Sequence, residues 1–237
     1  MNRNAWIWIT IAAVGLMVAM AEPALAQDGP PTRTLGDNIL ASFPVGLFII
    51  ALSVASLGLA IEHFVNVRRD KIIPPEVHQE LELLFDDEDY EGALQYCEST
   101  PGFVTNVVAA ALPRMSQGFD AMQQAMLLVG DEEAVKLQLK VSFLSLIAAL
   151  GPMLGLFGTV TGMVDAFNVI ASSAGGANPQ DLADGISMAL MTTVLGLIVA
   201  IPSTAFYFYF KNKATKIILE AGVVCSLLID RFRPVEA

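Results

Sequence analysis

The sequence predicts an all-α membrane protein with three transmembrane helices, cytoplasmic helical extensions and a cleavable N-terminal signal peptide. Two observations predict this fold class. The 237 residues are 54% hydrophobic and only 16% charged, which is too apolar for a soluble domain of this length. Beyond the N-terminal segment lie three apolar stretches, each with the roughly 20 residues that a helix needs to cross a bilayer.

The first 26 residues predict a secretory signal peptide. Arg3 precedes an apolar run over residues 5–21, and an A-x-A cleavage pattern ends at Ala26. The alternative is an uncleaved first span, because the apolar run approaches the length that crosses a bilayer. Cleavage is favoured by Glu22 and Pro23 and leaves the mature N-terminus outside the cytoplasm.

Basic residues predict the orientation of the three spans. Of the 13 Lys and Arg, 11 fall in residues 63–140 and 211–237, whereas residues 171–184 contain none. Because cytoplasmic segments are enriched in Lys and Arg, the chain is predicted to be multi-pass with its N-terminus out and its C-terminus in. The predicted organisation is a signal peptide (1–26), a periplasmic lead-in (27–38), transmembrane helices 39–62, 141–170 and 185–210, a cytoplasmic helical region (63–140), a periplasmic loop (171–184) and a cytoplasmic tail (211–237).

The cytoplasmic region is predicted to be helical, with an acidic break at residues 86–89. Calcium binding is one interpretation of the break, but the alternating ligands and glycine of a calcium loop are missing, so helix N-capping is preferred. Pro101 and Gly102 end a helix, and residues 104–115 form the next. Residues 131–133 are acidic and are predicted to begin a helix that runs straight into the second span.

Other polar residues of these segments are interpreted without a function. Glu62 and His63 follow the first span, where a lipid-interface location explains both. Cys97 and Cys225 are predicted to be reduced and unrelated thiols, with neither a disulfide nor a metal role. The net charge of −11 argues against nucleic acid as a partner.

Small residues form one face of the second span and one of the third. At about 100° per residue, glycines spaced four, three and four apart share a narrow face of a helix, and such faces let helices approach closely in lipid. The faces are expected to meet each other, a neighbouring subunit or a partner helix. The second span presents Gly151, Gly155, Gly158 and Gly162; the third presents Gly185, Ala189, Thr192, Thr193, Gly196, Ala200 and Ser203.

Hydroxyl groups make these faces candidates for more than packing. Thr159, Thr192 and Thr193 lie in a region without charged side chains, where they can hold water or bond a protonatable partner. The alternative for each is a hydrogen bond to its own backbone. Asp165, near the outer end of the second span, is a secondary candidate, either as an entry site or as an interface-exposed carboxylate. Pro152 and Pro202 permit kinks in the two spans.

Two motifs stand out in these spans: residues 151–163 read GPMLGLFGTVTGM and residues 185–202 read GISMALMTTVLGLIVAIP. Together they resemble the MotA/TolQ/ExbB proton-channel family, and especially its ExbB/TolQ branch. Residues 89–97, DYEGALQYC, are similar to the family's first cytoplasmic region. The resemblance implies a bacterial inner-membrane homopentamer around a single-span ExbD/TolR-type partner, with Thr159 and Thr193 at the family's threonine positions. In this family the partner's membrane Asp carries the proton.

One position departs from the family's pattern. Met188 stands where many members have a Glu, so the titrating carboxylate is expected on the partner rather than on this chain. The sequence has no HExxH, GxSxG or glycine-rich phosphate motif, so neither an enzyme nor a cofactor is predicted. The expected function is a subunit that couples the proton motive force to envelope work, and a TonB-like protein is considered as a further partner. A non-conducting membrane scaffold is the alternative.

Overall fold

The computed structural model describes residues 45–172 and 178–233, apart from the side chain of Asp181, and every regular element within them is a helix. The all-α prediction is therefore confirmed for this part of the chain. The predicted signal peptide and periplasmic lead-in lie outside the described residues. The helices are α1 (Val45–Asn66), α2 (Arg69–Ile72), α3 (Pro75–Asp86), α4 (Tyr90–Ser99), α5 (Phe103–Ala111), a 3₁₀ helix (Leu112–Gln117), α6 (Phe119–Ser172) and α7 (Pro179–Asp230).

Three of these helices, α1, α6 and α7, are long and apolar enough to cross a membrane. Helices α6 and α7 have 54 and 52 residues, so each continues well beyond the length that a bilayer requires. The chain divides into two compact units. Among the described residues, the first unit comprises 45–60, 143–172 and 178–208, and the second comprises 61–142 and 209–233.

In the first unit, sections of α1, α6 and α7 share an apolar cluster. Its buried members are Val45 and Ile49 of α1, Ile147 of α6 and Val199 of α7. Partly buried leucines from all three helices pack around them. Branched aliphatic side chains suit such a cluster because they fill space between helices without bringing a polar atom that needs a partner.

In the second unit, short helices pack against one another and contact the remaining sections of α6 and α7. The acidic break predicted at residues 86–89 is a helix junction: α3 ends at Asp86, Glu88 adopts a positive φ of 56°, and the Asp89 carboxylate accepts a hydrogen bond from the backbone N–H of Gly92 at 2.9 Å. The N-capping interpretation is confirmed.

The predicted start of a helix at residues 131–133 is wrong. Helix α6 begins at Phe119, directly after Gly118, whose φ of 99° is open to glycine but strained for other residues. The acidic residues therefore lie inside the helix, where Glu132 and Glu133 both pair with Lys136, at 2.8 and 2.9 Å. The predicted continuity into the second span is confirmed, because α6 is unbroken to Ser172.

Two further expectations for this region need correction. The helix expected over residues 104–115 ends at Ala111 and gives way to a 3₁₀ turn, since Pro113 has no N–H to continue the α-helical ladder. The side chain of His63 faces the protein interior, not lipid as a lipid-interface location implies. It is only 3% exposed, its Nε2 donates to the carbonyl of Lys140 at 3.1 Å, and its ring meets Phe210 edge-on at 5.4 Å.

Candidate functional site: the paired faces of α6 and α7

The glycine faces of α6 and α7 lie against each other within one chain. A Cβ added at Gly155 would stand 2.9 Å from Thr193 Cα and 3.1 Å from the carbonyl oxygen of Thr192. A Cβ at Gly196 would stand 2.5 Å from the carbonyl oxygen of Gly151. The backbones of the two helices are in direct contact here, which is possible only because glycine has no side-chain carbon.

The approach continues outward along both helices. A Cβ at Gly162 would lie 2.7 Å from the Ala189 side chain, and one at Gly185 would lie 3.2 Å from that of Ala166. At Gly158 it would overlap the side chain of Thr192. The six glycines of the two faces thus form one continuous contact, and alanine and threonine fill the space opposite them.

Thr192 fastens the two helices together. The residue is 3% exposed, and its hydroxyl donates to the carbonyl of Ala189 in its own helix at 2.7 Å and to that of Gly155 in α6 at 3.2 Å. Thr159 is also buried, and its hydroxyl donates to the carbonyl of Leu156 at 2.7 Å. Both hydroxyl protons are therefore engaged by backbone carbonyls.

Thr193 differs from the other two threonines. Its Oγ1 is buried and has no hydrogen-bond partner among the described residues. Its Cα lies on the α6 side of α7, against Gly155. A buried hydroxyl without a partner costs free energy, about 1–3 kcal/mol, unless some further group satisfies it. Among the three hydroxyls, it alone has no hydrogen-bond partner in the described part of the chain.

The electrostatics of the paired faces are set by the lack of charge. Neither residues 141–164 of α6 nor residues 185–210 of α7 include an Asp, Glu, Lys or Arg. Asp165 follows at the end of the α6 stretch and is exposed, and Met188 is partly buried. No group of three or more His, Cys, Asp or Glu suited to a metal ion occurs in the described residues. Any titrating carboxylate at mid-span must come from outside these two segments.

A second hydroxyl contact joins α7 to α1, and the sequence analysis missed it. Ser56 of α1 and Ser203 of α7 are 7% and 0% exposed, and their Oγ atoms are 2.6 Å apart. Ser203, predicted on the small-residue face of the third span, contacts α1 in this structure. The available signal was a serine within the apolar run of α1, but neither periodicity nor spacing identifies which helix it meets.

These features define a polytopic membrane protein whose two longest helices pair through glycine and present hydroxyls without charge. The chain belongs to the MotA/TolQ/ExbB proton channel family, whose family model matches residues 102–221. It is a family of channels rather than of enzymes.

Curated relatives bear the names of two branches of this family. The chain is 44% identical to "Biopolymer transport protein exbB1" of Vibrio cholerae over 62 residues, which are 26% of this chain and 27% of the relative. It is 42% identical to "Tol-Pal system protein TolQ" of Haemophilus influenzae over 84 residues, 35% of this chain and 36% of the relative. The matched segments thus span about a third or less of these two relatives.

The fold is also similar to a solved structure. It is similar to a chain of the solved structure "Structure of C. jejuni MotAB", with a TM-score of 0.58 and 17% sequence identity. The match covers 98% of this chain and 91% of the MotAB chain. At that identity the likeness concerns the fold alone.

Proposed function

We propose that this chain is the channel subunit of a complex that couples the proton motive force to work in the bacterial envelope. Its partner is a single-span protein of the ExbD/TolR type, around which five copies of this chain assemble in the inner membrane. The family and the relatives named ExbB and TolQ support this proposal. So does the charge-free pair of helices, since a proton crossing it needs a carboxylate from another chain.

The observation that carries the proposal is the buried Thr193 hydroxyl without a partner. A hydroxyl can both donate and accept, so it can hydrogen-bond a carboxylate in either protonation state. In the proposed complex, the partner's membrane Asp bonds Thr193 as it passes, and Thr159 supports that part of the path from α6. Thr192 holds the two helices at the spacing that this passage requires.

Topology and processing belong to the same proposal. The N-terminal 26 residues are removed as a signal peptide, residues 27–38 and 171–184 face the periplasm, and residues 63–140 and 211–237 face the cytoplasm. The positive-inside distribution supports this orientation, because 11 of the 13 Lys and Arg fall in those two cytoplasmic segments.

The test replaces hydroxyls by methyls in a chain coexpressed with the ExbD/TolR-type protein of the source genome. Thr193→Val and Thr159→Val each keep the side-chain shape, and Thr193→Val is expected to lower partner-dependent proton flux by tenfold or more while the complex still copurifies. Thr204→Val is the matched control, because Thr204 is exposed on α7 and bonds only its own helix, at 2.8 Å from the Ala200 carbonyl oxygen. Unchanged flux in both Thr159 and Thr193 variants would reject the site.

A non-conducting scaffold is the second candidate, and the bonding of Thr159 and Thr192 favours it. Both hydroxyls are satisfied by backbone carbonyls, as expected of groups that serve packing only. Under this alternative Gly158→Leu breaks assembly, since its side chain would overlap Thr192, while the two Thr→Val changes are silent. Under the channel proposal, Thr193→Val lowers flux tenfold or more in a complex that still assembles.

A further inference from the structure

The Ser56–Ser203 contact joins α1 to α7 by a hydrogen bond within an apolar setting. Ser203 donates its only hydroxyl proton to the carbonyl of Val199 at 2.7 Å, so the proton between the two serines must come from Ser56. The order is therefore Ser56 to Ser203 to the Val199 carbonyl. Both hydroxyls are buried, and both are satisfied by this arrangement.

The other contacts of α1 in the first unit do not fix its position with the same precision. Val45 and Ile49 join a cluster with Ile147 and Val199 that offers apolar contact only. Aliphatic contacts are non-directional, so they constrain the register of two helices less sharply than the 2.6 Å hydrogen bond between the serines, which a shift of one residue would break. In an apolar environment a single buried polar pair is enough to select one register of helix pairing.

We propose that α1 and α7 act as one body during turnover, fastened by the Ser56–Ser203 pair, so that α1 accompanies α7 whenever α7 moves. This inference rests on the proposed channel function and adds a positioning role for a helix outside the α6–α7 faces. Separating the helices would break the buried hydrogen bond between Ser56 and Ser203, which opposes independent motion of α1.

A reversible crosslink tests the inference directly. Ser56→Cys and Ser203→Cys are combined in a chain whose Cys97 and Cys225 are replaced by alanine, because sulfur atoms at the two Oγ positions are within reach of a disulfide after small adjustment. Oxidation with copper phenanthroline is expected to form the bond in most molecules. Partner-dependent proton flux in proteoliposomes is expected to stay within twofold of the reduced sample, and the two single-cysteine variants control for the oxidant.

Two results would overturn the inference. One is a failure of the double variant to crosslink; the other is a fall in flux of more than tenfold on oxidation that dithiothreitol reverses, because α1 must then move against α7. If the reduced parent chain shows no partner-dependent flux at all, the proposed function fails. The coupling between Ser56 and Ser203 is then tested only by the unfolding measurement described next.

The unfolding measurement is a double-mutant cycle with Ser56→Ala and Ser203→Ala in detergent. Ser56→Ala is expected to change the unfolding equilibrium about threefold in the parent chain, the size typical of such bonds, and to have no effect once Ser203 is alanine. Equal effects in both backgrounds would show that the residues are not coupled and would reject the pair. Ser53→Ala, one turn away and exposed on α1, is the matched control and is expected to be silent.

Discussion

At the scale of single residues, the site depends on glycines, whose lack of a side chain lets α6 and α7 approach closely. Gly155 and Gly196 bring the backbones of α6 and α7 to a separation at which a methyl group would touch main-chain atoms. A flexible side chain can move aside for a methyl group, but a helix backbone cannot do so without shifting the whole helix. The distance between the two threonine-bearing helices therefore depends on the glycines.

The first prediction concerns Gly155→Ala. Its methyl group would lie 2.9 Å from Thr193 Cα, so the two helices must separate, and the free energy of unfolding is expected to fall by about 1–3 kcal/mol. Thermal unfolding in detergent measures the loss. Gly58→Ala is the matched control: an added Cβ there has nothing within 4 Å, so stability should be unchanged or slightly higher. Equal losses in both variants would contradict the close approach.

A second prediction concerns the cap of α4. Asp89→Ala removes the acceptor of the Gly92 N–H, so the free energy of unfolding should fall by about 1 kcal/mol. Asp87→Ala tests the loss of an acidic residue two positions earlier, without loss of the cap, and should have little effect. Thermal unfolding of the two variants is compared. The N-cap assignment is contradicted if both variants unfold at the same temperature.

At the scale of elements, α6 and α7 are the unusual features. Their 54 and 52 residues correspond to about 80 Å of helix each, against a hydrocarbon core of about 30 Å. Pro152 and Pro202 lie inside these helices, neither of which is interrupted there. Each of the two helices therefore contributes the glycines of its small-residue face to the first unit and ionic contacts to the second.

The C-terminal end of α7 is held by an aromatic and ionic cluster in the second unit. Phe232 packs edge-on to Phe85 at 5.6 Å and lies 5.4 Å from the ring of Tyr90. Arg231 pairs with Asp86 at 3.0 Å and lies over the Phe85 ring. The end of the last long helix is therefore attached to α3 and α4.

Within this cluster, Phe232→Ala is expected to destabilise the chain more than Arg231→Ala. The phenylalanine loses two ring contacts, each worth about 0.5–1.5 kcal/mol beyond the buried area, whereas an exposed ion pair contributes about 0–1 kcal/mol. Chemical denaturation of the purified protein compares the two. A larger loss for Arg231→Ala would show that the ionic contact, not the aromatic one, holds the helix end.

At the scale of the whole molecule, each unit has its own interior. The first unit joins sections of the three spanning helices, and the second encloses both cysteines as buried free thiols. Burial, assisted by the charge of Glu98, raises the pKa of the Cys97 thiol to about 11. Cys97 therefore reports whether the second unit is folded.

That pKa yields a prediction for reactivity and for stability. The raised pKa means that the folded state holds the Cys97 proton more tightly than the unfolded state does. The thiol's contribution to the free energy of unfolding is therefore complete below the unfolded pKa of about 9 and is lost as the pH rises through 11. In a Cys225→Ala chain, iodoacetamide should label Cys97 slowly at pH 8 and rapidly only after denaturation. Rapid labelling of the folded chain would show that the second unit opens readily.

The fold and the candidate site were predictable to different degrees. Composition and charge predicted the helical class, because burial in lipid demands long apolar helices, and the glycine spacing predicted the faces now found in contact. The start of α6 was missed because acidic residues favour both a helix N-terminus and an exposed helix interior, and only Gly118 distinguishes the two. His63 was misplaced because its partners lie 77 and 147 positions along the chain, beyond the reach of any local pattern.

The sequence by itself determined which surfaces of the two long helices are small, where charge is absent and which family the chain belongs to, since periodicity and motif are properties of neighbouring residues. Tertiary structure decided which helix each surface meets. It gave Thr159 and Thr192 their backbone partners, left Thr193 without one, and brought Ser56 to Ser203 across 147 positions. Such pairings depend on how the helices cross, and the crossing is fixed by side-chain volumes on all three helices together.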